Sequence, residues 1–203
     1  MDPSQIIENS LYFLALINPI SKVLFIASKH PAYSRRELIS ISVRSTIVAF
    51  LILAISTSVG DFLMVRVFHV EIYSLSVAGG IILFIIGLTA VRKGRFFEEE
   101  KENHKSHDIS VVPLAAPLIA GPGTMTAAIS FASMHGTIAT ILCVTIAVLV
   151  NLVCMLLSSQ INRAVEKLNA TEPLIRITGL IVTAVAMQMI FTGCATWVSR
   201  TVL

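Results

Sequence analysis

Six mostly apolar runs of about twenty residues each constrain this chain more than any other feature, because that is the length a helix needs to cross a bilayer. They fall at roughly 7–28, 38–60, 72–91, 109–133, 137–158 and 174–197 of the 203 residues. Strands of a membrane barrel would instead alternate polar and apolar residues over about ten positions. These runs are continuous and longer, so the expected fold is an all-α integral membrane protein with six transmembrane helices. Composition agrees: 55% of the residues are hydrophobic and 13% charged, where soluble domains carry about a quarter charged residues. A soluble globular enzyme, a disordered chain and a nucleic-acid binder are excluded on that ground. Cys143, Cys154 and Cys194 lie inside apolar runs, form no disulfide framework and lack metal-ligand spacing. They are expected to be reduced and packed.

Basic residues orient the spans, since cytoplasmic loops collect Lys and Arg. The first connector carries Lys29, Arg35 and Arg36; the third carries Arg92, Lys93, Arg95, Lys101 and Lys105; the fifth carries Arg163 and Lys167, with Arg176 just beyond. The second connector has only Arg66, the fourth has none, and the C-terminal tail has Arg200. Odd connectors are therefore expected in the cytoplasm and both termini outside, in a cell inner membrane. The opening MDPSQIIENS has neither a basic leader nor a small-residue cleavage site, so the first span is expected to stay.

An odd number of spans per half makes the second half enter from the opposite side. The expected organisation is a three-helix repeat over 1–92, a charged cytoplasmic loop over 93–108 and a second, inverted three-helix repeat over 109–203. Matching features recur in order. Leu16-Ile17-Asn18-Pro19-Ile20-Ser21 stands in span 1 and Ile119-Ala120-Gly121-Pro122-Gly123-Thr124 in span 4; Ala78-Gly79-Gly80 opens span 3 and Thr178-Gly179 opens span 6.

Proline removes one helical hydrogen bond and clashes with the preceding turn, and in lipid the freed groups need partners. One such proline is as well read as a simple kink. Two at repeat-related positions, the second flanked by glycines and preceded by Pro113 and Pro117, point to broken helices 1 and 4 that line a site. Each break exposes N–H groups, which favour a carboxylate, and carbonyls, which favour a cation or ammonium. The pair suits a small zwitterion. Candidate binding residues are Asn18, Pro19, Ile20 and Ser21 at the first break, Gly121, Pro122, Gly123, Thr124 and Thr126 at the second, and Gln188 nearby. Ser130 and Asn151 are further polar groups at membrane depth, each with the plainer reading of a bridge between helices. Lys22 and Arg44 are the deepest charges; the plainer reading for both is snorkelling to the interface, and the sharper one is attraction of a phosphate or carboxylate from the cytoplasm. Gly79, Gly80, Gly87 and Gly179 are read as close helix packing.

No Asp or Glu lies deep in a span: Glu8, Asp61 and Glu71 sit at span ends, and the histidines sit in connectors. A proton relay would need a rim group such as Glu8 or the substrate itself, whereas break carbonyls would suffice for Na⁺. No cofactor, structural metal or nucleic acid is expected, and the coupling ion, Na⁺ or H⁺, stays open. No phosphate-binding glycine loop and no catalytic constellation appears, so an enzyme is not expected.

The motifs LINPIS (16–21), AGGIILFIIGL (78–88), PLAAPLIAGPGTM (113–125) and RITGLIVTAVAMQMIFTG (176–193) together resemble the MarC-type membrane proteins, a family also described as neutral amino acid transporters. The resemblance covers nearly the whole chain. It implies alternating-access transport of glycine, alanine and similar neutral amino acids, in uptake or export. An older association of the family with antibiotic resistance fits less well, because two breaks suit a small zwitterion better than a bulky drug. The family's first motif continues from NP and a small aliphatic residue to Gly, with a further Pro downstream. Asn18, Pro19 and Ile20 match that pattern, while Ser21 replaces the Gly, Leu24 replaces the Pro, and Lys22 is atypical. The second motif keeps its Gly121-Pro122-Gly123 core. The expected function is thus a carrier of small neutral amino acids with the lipid bilayer as its surroundings, and a homo-oligomer stays open. The alternatives are an exporter or channel for another small solute and a non-transporting membrane subunit.

Overall fold

The structure, a computed structural model, describes residues 2–27, 33–94, 119–168 and 170–201. Helices account for most of those residues, and no strand is among them. The order is α1 (Pro3–Ile17), α2 (Pro19–Ala27), α3 (Arg35–Asp61) with a π-helical extension (Phe62–Val67), α4 (Ile72–Lys93), α5 (Pro122–His135), α6 (Thr137–Leu156), α7 (Ser158–Lys167) and α8 (Thr171–Thr201). Among the described residues, five stretches are long and apolar enough to cross a membrane: Pro3–Ala27, Arg35–Gly60, Ile72–Lys93, Thr137–Leu156 and Thr171–Arg200. The start of the expected fourth span, 109–118 with Pro113 and Pro117, lies outside the described residues, as do 95–108 of the charged stretch and Lys29.

Local chemistry sets the helix ends. Pro3 occupies the first helical position of α1, and the Asp2 N–H donates to Gln5 Oε1 at 3.3 Å. Ser34 caps α3 reciprocally: its N–H donates to Glu37 Oε2 at 2.8 Å, and the Glu37 N–H donates to Ser34 Oγ at 3.3 Å. Gly94 ends α4 at φ 65°, its N–H donating to Ala90 O at 2.9 Å. The fifth connector holds more order than expected. Ser158–Lys167 forms the helix α7, and it packs on α2.

Side-chain distribution is inverted relative to a soluble bundle. On α3, Ile47, Leu51 and Ile55 are 53%, 51% and 63% exposed, while Ser42, Ser45, Thr46 and Thr57 on the opposite face are buried. Apolar side chains gain nothing by leaving lipid, so small and polar residues line the helix contacts. The clearest case is α4 against α8. A Cβ on Gly80 would stand 2.9 Å from Ala186 O, one on Gly87 2.8 Å from Gly179 O, and one on Gly193 2.8 Å from Tyr73 O. Each of these contacts is with backbone, so only glycine permits the approach. Position 73 meeting 193 and position 87 meeting 179 make the pair antiparallel, and the packing role expected for these glycines holds. Of the cysteines, Cys143 is buried, Cys154 half-buried and Cys194 exposed, all free; the expectation that all three are packed is corrected for Cys194, which lies on an outward face of α8.

Candidate functional site

Pro19 has no N–H, and its ring disfavours the right-handed helical conformation at the residue before it. Asn18 accordingly stands at φ 53° and ψ 75°, in the left-handed region that Asn tolerates better than most residues. One residue thus separates two helices. The Asn18 N–H closes α1 by donating to Leu14 O at 2.8 Å. The Ser21 N–H opens α2 by donating to Asn18 O at 3.1 Å and to Asn18 Oδ1 at 3.4 Å. Ser21 Oγ donates to Asn18 O at 2.8 Å.

These bonds withdraw the Ser21 N–H from the Ile17 carbonyl, its normal helical acceptor. Lys22 takes the vacant role: its Nζ donates to Ile17 O, and to Ser21 Oγ at 3.2 Å. Lys22 is 3% exposed, and Asn18 and Ser21 are 7% each. The snorkelling reading of Lys22 is therefore corrected, because a carbonyl freed one turn away is a nearer acceptor than the interface. Arg44 does lie exposed on α3. The Asn18 Nδ2 is buried and has no hydrogen-bond partner.

The second break is built from backbone. The chain bends at Ala120, runs extended through Gly121 (φ −74°, ψ 166°) and starts α5 at Pro122. The Met125 N–H donates to Gly121 O at 2.9 Å. Gly121, Gly123, Thr124 and Thr126 are buried, whereas Pro122 is exposed. Contact with α4 explains the glycine at 123, where a Cβ would stand 2.5 Å from Leu83 Cδ1. In turn Gly79 makes room for Thr126, whose own Cβ would be 2.6 Å from a Cβ added at Gly79. Ser76 and Ser130 share a hydrogen bond of 2.9 Å between their hydroxyls.

Helices α1 and α5 meet at an aromatic cluster. The Phe131 ring centroid lies 5.5 Å from that of Phe13, 6.1 Å from that of Tyr12 and 4.4 Å from that of His135. His135, expected in a connector, is the last residue of α5. Ile6 and His135 line one surface crevice, so α1 and α5 run antiparallel. Asn18 follows Phe13, and Thr126 precedes Phe131, by the same five residues, about 7.5 Å of helix. The first break and Thr126 therefore lie on the same side of this cluster.

A cavity of about 380 Å³, part polar and part apolar, opens between α4, α5 and α8, its polar side formed by Tyr73, Ser76, Ser130, Ser133, Thr192 and Arg200. At its mouth Arg200 Nη1 stands 3.4 Å from Glu71 Oε2. Ser133, Ser130 and Thr126 recur at three- and four-residue spacing, on one face of α5. They form a polar line from the cavity towards the second break.

Gln188 does not join either break. It is exposed on α8, where its Nε2 donates to Thr192 Oγ1 at 3.3 Å. Asn151 is fully buried on α6, donating from Nδ2 to Met155 Sδ at 3.3 Å while Oδ1 has no partner. The buried hydroxyls of Ser42, Thr46 and Ser158 are likewise without partners. Sequence reasoning passed over Ser42 and Thr46. Their four-residue spacing opposite an apolar stripe was the available signal. Among the described residues no three His, Cys, Asp or Glu side chains gather as a metal site.

Comparison with known proteins adds the last observation. The family described as MarC family integral membrane protein matches residues 4–198. A UPF0056 membrane protein of Pyrococcus horikoshii is 32% identical over 189 residues, covering 93% of each chain. The UPF0056 membrane protein YvbG of Bacillus subtilis is 31% identical over 199 residues, covering 94% of each. A UPF0056 membrane protein of Aquifex aeolicus is 29% identical, covering 90% of this chain and 89% of its own. No solved structure matches the chain.

Proposed function

The chain belongs to the MarC family of integral membrane proteins, and from that premise we propose that it is a carrier of small neutral amino acids, of the glycine and alanine class. The observation that carries the reading is the break at Asn18-Pro19 and the helix start at Pro122, with the polar groups of both buried and both on one side of the Phe13–Phe131 contact. An isolated kink has no need of buried amides, hydroxyls and an ammonium around it. A transport site does, because a zwitterion leaving water must exchange its hydration for fixed donors and acceptors.

The reading includes six spans arranged as inverted repeats, 1–92 and 109–203, about the loop 93–108. Packing supports it. Helix α1 packs on α6, and α5 packs on α3; these two contacts interchange if span 1 corresponds to span 4 and span 2 to span 5. The third spans of the two halves, α4 and α8, pair antiparallel through glycines from both. In this reading both termini face outward from a cell inner membrane, and α7 lies on the cytoplasmic side. Asn18, Pro19, Ile20 and Ser21 face Gly121, Pro122, Gly123, Thr124 and Thr126 across the site, and one repeat rocks against the other to alternate access. The cavity at Ser76 and Ser130 is then the outer approach. Exchange of substrate needs no coupling ion, so it tests the site without presuming Na⁺ or H⁺.

The test is counterflow. Purified protein is reconstituted in liposomes preloaded with unlabelled glycine or alanine, and entry of the labelled amino acid is followed beside Asn18→Ala and Pro122→Ala. Saturable entry, lost in both variants, is expected. Folded protein that exchanges none of the twenty amino acids would sink the proposal in favour of another small solute.

A further inference from the structure

The two breaks differ in charge, and that difference gives the site a direction. At the first break the carbonyl left free when the Ser21 N–H turns to Asn18, Ile17 O, is already met by the Lys22 ammonium. The place where a coupling cation or a substrate ammonium would bind is filled by a tethered one. What remains at this break is donors. Two bonds use two of the three ammonium N–H groups of Lys22. Asn18 Nδ2 is buried without a partner. The N-terminus of α2 adds first-turn N–H groups and the positive end of its dipole. Among the described residues no carboxylate forms an ion pair with Lys22; the two ion pairs there are Arg176–Glu172 and Arg200–Glu71.

The second break has the opposite character. Its described residues, 119–126, carry no charged side chain. They offer the hydroxyls of Thr124 and Thr126 and backbone carbonyls.

We propose that Lys22 is a substrate-binding residue, and that with Asn18 Nδ2 it forms a carboxylate site at the first break that fixes the zwitterion with its carboxylate there and its ammonium at the second break. A buried ammonium is costly unless an anion or several acceptors neutralise it. A substrate carboxylate completes its coordination, so the site prefers carboxylates over amides of the same size. The proposal rests on the paired breaks being the transport site. It extends that reading by naming which end of the substrate each break holds.

The experiment measures thermal unfolding of the purified full-length protein in detergent, at constant ionic strength and with chloride as the reference anion. The ligands are glycine, propionate, which lacks the ammonium, and glycinamide, which lacks the carboxylate. Glycine and propionate are expected to raise Tm by about 3 °C at ten times their dissociation constants, and glycinamide is expected to leave it unchanged. Lys22→Met should abolish the propionate shift and Lys22→Arg should retain it. A glycinamide shift equal to that of glycine, an unaltered propionate shift in Lys22→Met, or no carboxylate shift in the unsubstituted protein would each overturn the proposal. Should Lys22→Met fail to fold, the ligand series on the unsubstituted protein and on Lys22→Arg decides. Counterflow separates this inference from the carrier reading. Exchange without a Lys22-dependent carboxylate preference removes the inference alone. A Lys22-dependent propionate shift without amino acid exchange removes the carrier alone.

Discussion

The two breaks answer the same steric problem with different chemistry. At the first, side chains do the repair: Asn18 takes the left-handed conformation and caps α2, Ser21 ties back to Asn18, and Lys22 covers the Ile17 carbonyl. At the second, backbone does it: Gly121 runs extended and accepts from Met125, and Gly123 lets α5 close on Leu83. Side-chain repair leaves charge and donors in the membrane interior. Backbone repair leaves a neutral, tightly packed wall. Proline and its neighbours can therefore set where a helix breaks without setting what the break will bind.

Substitutions that exploit this difference should fall in a definite order. Gly123→Leu forces a branched side chain into the space held by Leu83, and overpacking of this kind costs about 3 kcal/mol. Loss of the folded peak on size exclusion, or a Tm drop of several degrees, would show it; a stable Gly123→Leu protein would mean that the second break is as adaptable as the first. Asn18→Ala comes next. It loses the cap and places Ala in the left-handed region, for about 1–2 kcal/mol. Asn18→Gly should regain most of that stability, yet without the amide it should not regain counterflow. Equal counterflow in Asn18→Gly and the unsubstituted protein would reduce Asn18 to a backbone role. Ser130→Ala removes the hydrogen bond to Ser76 and should cost about 1 kcal/mol, read as a small Tm decrease. Arg200→Gln is the control. The Arg200–Glu71 pair is 67% and 47% exposed, and its loss should change stability by less than about 0.5 kcal/mol; a large Tm change there would place part of the fold's stability at the cavity mouth.

Legibility in the sequence followed the range of the forces involved. Asn18-Pro19 and Gly121-Pro122-Gly123 were readable as breaks because the sterics of proline and glycine act on adjacent residues. Ser34 with Glu37, and Gly94 after α4, end their helices for equally local reasons. The glycine contacts of α4 were readable as packing, though not their partners. Gln188 was misplaced because its spacing from other polar residues says nothing about which face α8 turns inward. Lys22 was misjudged because snorkelling and inward capture demand the same sequence. The deciding acceptor, Ile17 O, is freed only when the broken backbone is actually built.

By itself, the sequence determined that this chain is an all-helical membrane protein, that its first span breaks at Asn18-Pro19, that a helix starts at Pro122, and which family it belongs to. Run length, composition and proline chemistry are properties of the chain read in order, and they survive any arrangement of the helices. The tertiary structure alone decided that Lys22 points inward, that Gln188 points outward, and that Thr126 lies in the hollow left by Gly79. Each of these depends on the rotation and register of one helix against another. Those are set by close packing of small residues from distant parts of the chain, such as Gly87 against Gly179, and a helix rotated by half a turn would present the same sequence with the opposite site.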